Sequence, residues 1–88
     1  DGMRLLLVED EPELARLTRK SLESQGFVVD HVATLGAAFE AVMATPYRAV
    51  ILDRRLPDGD GLGLLAVLRT RPLPAPALVL TALDDVHD

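Results

Sequence analysis

The sequence predicts an α/β fold, a parallel sheet with helices on both faces, built as β-α-β-α-β-α-β. Three observations carry this. Short apolar runs (RLLLV, FVVDHV, YRAVIL and ALVL) recur along the chain, with enough residues between them for a crossover connection. The intervening segments space their apolar residues at helical intervals. Pro or Gly punctuates the junctions, at Pro12, Gly26, Pro46 and the Pro72, Pro74, Pro76 segment.

Each element has its own local warrant. Arg4 to Val8 is a short apolar run and predicts a buried strand. Asp10-Glu11-Pro12-Glu13 predicts a helix start, with Asp10 as cap, Pro12 in the first turn and Glu13 three after the cap. Leu14, Leu17 and Leu22 are the expected inward stripe, and Gly26 ends the helix. Phe27 to Val32 is rich in β-branched and aromatic residues and predicts a second strand. Thr34 caps the next helix, whose apolar face is Leu35, Ala38, Phe39, Val42 and Met43. Tyr47 to Leu52 predicts a third strand, stopping at Asp53. A loop is expected from Arg54 to Gly61. A third helix follows over Leu62 to Arg69, with Leu64, Leu65 and Leu68 inward. Ala77 to Leu80 predicts a fourth strand that ends at Thr81.

Composition narrows the function classes. The 88 residues suffice for one domain with one core, and 49% apolar with 26% charged residues is a globular balance. The core must be aliphatic, since aromatics are only 3%. A net charge of −5 leaves no basic patch for nucleic acid. Absence of cysteine rules out disulfides and thiolate chemistry and fits a cytoplasmic location. No apolar run has membrane-span length, so no membrane partner is expected. Met3 reads as a native start, making residues 1–2 a leftover ahead of the domain at 3–88.

In open α/β sheets ligands bind where the strands end. Strand one ends at Glu9 and Asp10, strand three at Asp53, strand four at Thr81. Carboxylates converging on one rim repel unless a cation is present. A hard divalent ion with oxygen ligands, Mg²⁺ above all, resolves that conflict. Taken singly, Asp10 reads as a helix cap, Glu9 as a solvated acid and Thr81 as a strand terminator; their recurrence at three strand ends makes the set meaningful.

The segments LLLVEDE (Leu5–Glu11), VILDRRLPDGDG (Val50–Gly61) and VLTA (Val79–Ala82) resemble response-regulator receiver domains of two-component systems. The Asp-x-x-Leu-Pro-x-x-x-Gly signature at Asp53 has Glu-Asp about 44 residues upstream and Thr-Ala 28 downstream. The acidic start and the Leu-Pro-Asp-Gly loop look most like the OmpR/PhoB subfamily of transcription regulators. The resemblance implies a flavodoxin-like doubly wound sheet, strand order 2-1-3-4, cut short before a fifth strand and the last helices. It implies a phosphorylation-dependent signalling switch rather than an enzyme, with Asp53 as phosphoacceptor for a sensor-kinase phosphohistidine. Asp10 and Asp53 would bind Mg²⁺ or Mn²⁺ directly, Arg55 through its backbone carbonyl and Glu9 through water. The Thr81 hydroxyl would contact the phosphoryl group and act as the switch, and the Ala82 N–H would bond another phosphoryl oxygen. Pro57 and Gly61 would shape the loop.

The implied partners are a sensor histidine kinase and, through an effector domain outside this chain, DNA. The family's phosphoryl-pairing lysine belongs to the fifth strand, and the only lysine here, Lys20, lies in the first helix. A chain lacking that strand is expected to expose the edge of strand four and to self-associate, most simply as a homodimer. Two other readings stand beside the switch. One is a folded fragment that never takes up phosphate. The other is a small Mg²⁺-dependent aspartyl phosphohydrolase, against which Arg55 counts because such enzymes place an acid two residues after the nucleophile. Arg54 and Arg55 read as a solvated pair balancing local acids. His31 reads as a strand-surface residue and His87 as exposed, without metal-ligand spacing between them. No Walker-type glycine loop follows strand one.

Overall fold

The computed structural model describes residues 3–53, 55–70 and 77–80, with residues 53, 55 and 77–80 described through their backbone. The elements run β1 (Arg4–Val8), α1 (Pro12–Ser24), β2 (Val28–Val32), α2 (Leu35–Ala44), β3 (Ala49–Asp53), β4 (Arg55–Leu56), β5 (Gly59–Asp60), α3 (Leu62–Arg69) and β6 (Ala77–Leu80). The main sheet is parallel, in the order β2-β1-β3-β6. This is the expected order, with β6 as the fourth strand of the alternation.

Both faces of the sheet are covered, which is why β1 reads as an unbroken apolar run: Leu5, Leu6, Leu7 and Val8 are all buried. Side chains alternate along a strand, so neighbours in sequence serve different layers. Leu6, Val8, Val50 and Leu52 meet Leu35, Ala38 and Val42 of α2 and Leu64 and Leu68 of α3. Leu7, Val29 and Ile51 on the other face meet Ala15 and Leu22 of α1, with Phe27.

α1 departs from expectation at both its cap and its stripe. Glu11, not Asp10, is the N-cap: it is extended (φ −86°, ψ 111°) and its carboxylate accepts the Glu13 N–H at 3.1 Å. The reason is Pro12. Proline at the first helical position holds the residue before it out of the helical region, so that residue becomes the cap. Leu14 and Leu17 are half exposed, and the inward row is Ala15, Thr18 and Leu22. One residue is a 100° rotation, enough to turn a leucine off the sheet. The end of α1 is a Schellman turn. Gly26 takes φ +98°, its N–H bonds the Glu23 carbonyl at 3.0 Å, and the Phe27 N–H bonds that of Leu22 at 3.3 Å.

α2 starts as expected, with Thr34 Oγ1 accepting the Ala37 N–H at 3.1 Å. Of its predicted face, Leu35, Ala38 and Val42 are buried and Phe39 packs against them, whereas Met43 is exposed. The loop expected after Asp53 contains a small antiparallel hairpin, pairing Arg55 with Asp60 and Leu56 with Gly59. Pro57 and Asp58 form its turn, and Gly59 takes φ +145°, open to residues without a Cβ. Two-residue strands fall below any periodicity signal, so only the turn residues were legible.

Candidate functional site

The parallel register fixes which residues share the carboxyl rim of the sheet. Val8 pairs with Leu52, and Asp53 pairs with Leu80. Glu9 therefore lies one step past β1 beside the level of Asp53, and Asp10 follows it. Thr81 is the next residue after the strand partner of Asp53. The structure thus brings the ends of β1, β3 and β6 together as expected. Thr81 and Ala82, with Arg54 and His87, lie outside the described residues.

Among the described side chains Glu9 is the buried acid of this rim, with only 4% of its surface exposed. Its N–H donates to the Val32 carbonyl at 3.0 Å, extending the β1–β2 ladder by one residue. Its Oε2 accepts the Glu11 N–H at 3.1 Å, which ties the carboxylate to the entry of α1. His31 closes the other side: its Nε2 lies 2.8 Å from the Glu9 carbonyl oxygen. His31 is therefore a partly buried strut between β2 and the end of β1, where a surface residue was expected. Its chemistry remains structural, since it bonds a backbone carbonyl. Asp10 is exposed, directly before the Glu11 cap. Arg55 stands two residues beyond Asp53, at the first position of the hairpin.

Asp58 is the site residue that sequence reasoning did not single out. Its carboxylate oxygens accept the N–H groups of Leu35 at 2.8 Å and Gly36 at 3.0 Å. These two N–H groups, Leu35 first, hold its carboxyl below the usual aspartate range. The partners are 23 and 22 residues away, so no local pattern could reveal the contact. Asp60 works closer to home, accepting the Leu62 N–H at 2.9 Å where α3 begins.

The acids that the register places at the ends of β1 and β3, Glu9, Asp10 and Asp53, carry hard carboxylate oxygens, which would suit Mg²⁺ or Mn²⁺ rather than a soft metal. Among the described side chains no three acids or histidines gather closely enough to hold a metal ion; the Asp53 side chain is not among them. Among the described residues no helix is long and apolar enough to cross a membrane.

Comparison with known proteins agrees with this fold. A family model for the response regulator receiver domain matches residues 5–88. The chain belongs to the response regulator receiver domain family. The receiver is 42% identical over 87 residues to the transcriptional regulatory protein TcrA of Mycobacterium tuberculosis, covering 99% of this chain and 34% of that protein. It is 37% identical over 86 residues to the transcriptional regulatory protein BasR of Escherichia coli, covering 98% of this chain and 39% of BasR. These relatives are transcription regulators, in line with the subfamily resemblance, and the receiver spans little more than a third of their length. Among solved structures, the response regulator TrrA of Thermotoga maritima, in complex with Mg²⁺ and BeF, superposes with a TM-score of 0.85 at 28% identity. That match covers 97% of this chain and 74% of TrrA. Receiver domains are regulatory phosphoacceptors of two-component systems, and the observed parallel sheet order is that of the family.

Proposed function

We propose that this receiver is a phosphorylation-dependent switch in which Asp53 accepts a phosphoryl group from the phosphohistidine of a sensor histidine kinase. The observation that carries the reading is the strand register, Val8 to Leu52 and Asp53 to Leu80, which aligns the acidic end of β1 with Asp53 and with the residue preceding Thr81. An Asp53 carboxylate oxygen attacks phosphorus, the P–N bond breaks, and the imidazole nitrogen keeps the electron pair. Asp10 and Asp53 would hold a divalent cation directly, the Arg55 carbonyl would add a protein oxygen, and Glu9 would act through water. The chemistry a bound Mg²⁺ or Mn²⁺ would supply is neutralisation of the charge between the carboxylate and the incoming phosphoryl group.

The Thr81 hydroxyl and the Ala82 N–H take up phosphoryl oxygens, and movement of Thr81 toward them carries the signal outward. In the parent protein the output is a DNA-binding domain; the relatives TcrA and BasR are named as transcriptional regulatory proteins. The module is cytoplasmic, acts on its own aspartate and turns over no external substrate. The test is acetyl phosphate with Mg²⁺ on the full-length protein, followed by mass spectrometry of the modified peptide. Phosphate should map to the peptide containing Asp53 and vanish in Asp53→Asn. Phosphate mapped to another residue overturns the reading.

A further inference from the structure

The first turn of α2 is fully provided with hydrogen-bond acceptors, and they come from two places. A helix begins with N–H groups that have no partner inside the helix. Thr34 Oγ1, from the residue before the helix, takes the third, that of Ala37. The first two, on Leu35 and Gly36, go to Asp58 at the turn of the β4–β5 hairpin. A carboxylate at that helix end also has the favourable sign for the helix dipole.

Two further contacts join the same pieces. Leu56, the second residue of the hairpin, is buried in the apolar cluster that contains Leu35. Gly59 is so close to α2 that a Cβ built there would come within 3.1 Å of Leu35 Cδ1. The hairpin is thus seated on α2 by an apolar side chain, a close backbone approach and a two-pronged carboxylate, with Asp58 as the directional member. Arg55 opens that hairpin, and the chain between Asp53 and the seated turn is only a few residues long.

We propose that Asp58 is a positioning residue for the cation site: by clamping the Leu35 and Gly36 N–H groups it fixes the β4–β5 turn, and through it the Arg55 carbonyl. The inference rests on the reading of Asp10, Asp53 and the Arg55 carbonyl as the cation-binding set. Asp58 touches neither cation nor phosphoryl group and acts through the backbone it holds. Loss of a partner that orients a metal ligand typically costs about 10–100-fold in metal affinity.

The experiment measures Mg²⁺ affinity by titration calorimetry on the full-length protein, together with urea unfolding. Asp58→Ala should weaken Mg²⁺ binding by about tenfold, the scale at which ligand-orienting groups act. Asp58→Asn keeps one carboxamide oxygen as acceptor, should lose less, and provides the comparison if the alanine variant does not fold. Thr34→Ala removes a cap from the same helix end without touching the hairpin. It should lower stability and leave Mg²⁺ affinity unchanged. Affinity that falls in Thr34→Ala as far as in Asp58→Ala would show that Asp58 merely stabilises α2 and would overturn the proposal. Unchanged affinity in the Asp58 variants, while Asp10→Asn weakens binding, would also overturn it and leave the cation site standing. A wild-type protein that binds no Mg²⁺, or an Asp10→Asn variant that binds as well as wild type, would overturn both.

Discussion

Tyr47 donates its hydroxyl to Asp30 Oδ2 at 2.7 Å, linking the segment before β3 to the middle of the edge strand β2. Arg4 completes the group, with a guanidinium nitrogen 2.8 Å from Asp30 Oδ1. The Arg4 pair is well exposed and is worth little by itself. The Tyr47 contact has a consequence that can be read in solution.

Desolvation first, and then the Asp30 carboxylate, push the Tyr47 hydroxyl up to about 12. Asp30 is held below the ordinary aspartate range, chiefly by the Tyr47 hydroxyl and then by Arg4. Tyr47 is the only tyrosine and there is no tryptophan, so absorbance near the phenolate band follows this group alone. The expected midpoint is near 12, and Asp30→Asn should move it toward the ordinary 10.0. A group whose acidity differs between the folded and unfolded states makes stability depend on pH. The raised Tyr47 value favours the neutral phenol in the folded state. Its contribution to stability is whole below pH 10 and is lost as pH rises toward 12. The lowered Asp30 value acts oppositely. Its contribution is whole above the unfolded value of 3.8 and is lost as pH falls through the folded value. Acid and alkaline unfolding should therefore both be milder in Asp30→Asn.

Asp10→Asn should weaken Mg²⁺ binding and leave thermal stability nearly unchanged. Asp10 is exposed and the capping of α1 belongs to Glu11. Calorimetric titration and a melting curve on the same sample check both halves. An equal loss of stability would return Asp10 to a capping role.

Leu64→Ala and Leu17→Ala should differ sharply, although both remove the same atoms. Leu64 is fully buried between α3 and the sheet, and its truncation should cost about 2–5 kcal/mol. Leu17 is 50% exposed, and its truncation should stay within about 0.5 kcal/mol. Urea unfolding of the two variants measures the difference.

Gly26→Ala should destabilise by about 1 kcal/mol or more, because a Cβ is strained where native φ is positive. Nothing lies within 4 Å of the added atom, so the whole cost is conformational at φ +98°. Denaturant titration checks the size, and a neutral result would mean that the Schellman turn relaxes without penalty.

The architecture was legible in the chain. The alternation of apolar runs and helical stripes sufficed for the strand and helix order, since periodicity is a local property that burial on two faces must respect. Thr34 and Gly26 were legible as helix cap and stop because capping is decided within a few residues. Acids at the ends of strands one and three drew attention because parallel strands must end on one side. Tertiary structure decided what depends on rotation and on distant partners. Which leucine of α1 faces the sheet turns on a single residue of helical phase, and Ala15 took the place expected of Leu14 and Leu17. The shift of the cap from Asp10 to Glu11 followed from the restriction that Pro12 places on its neighbour. The bond from His31 to the Glu9 carbonyl needed the register of β1 and β2 to bring residues 22 apart together. The hold of Asp58 on α2 needed the packing of a hairpin too short to carry any periodic signal, with its acceptors and donors 22 and 23 residues apart. Contacts of that separation are written in the chain only through the fold that closes the distance.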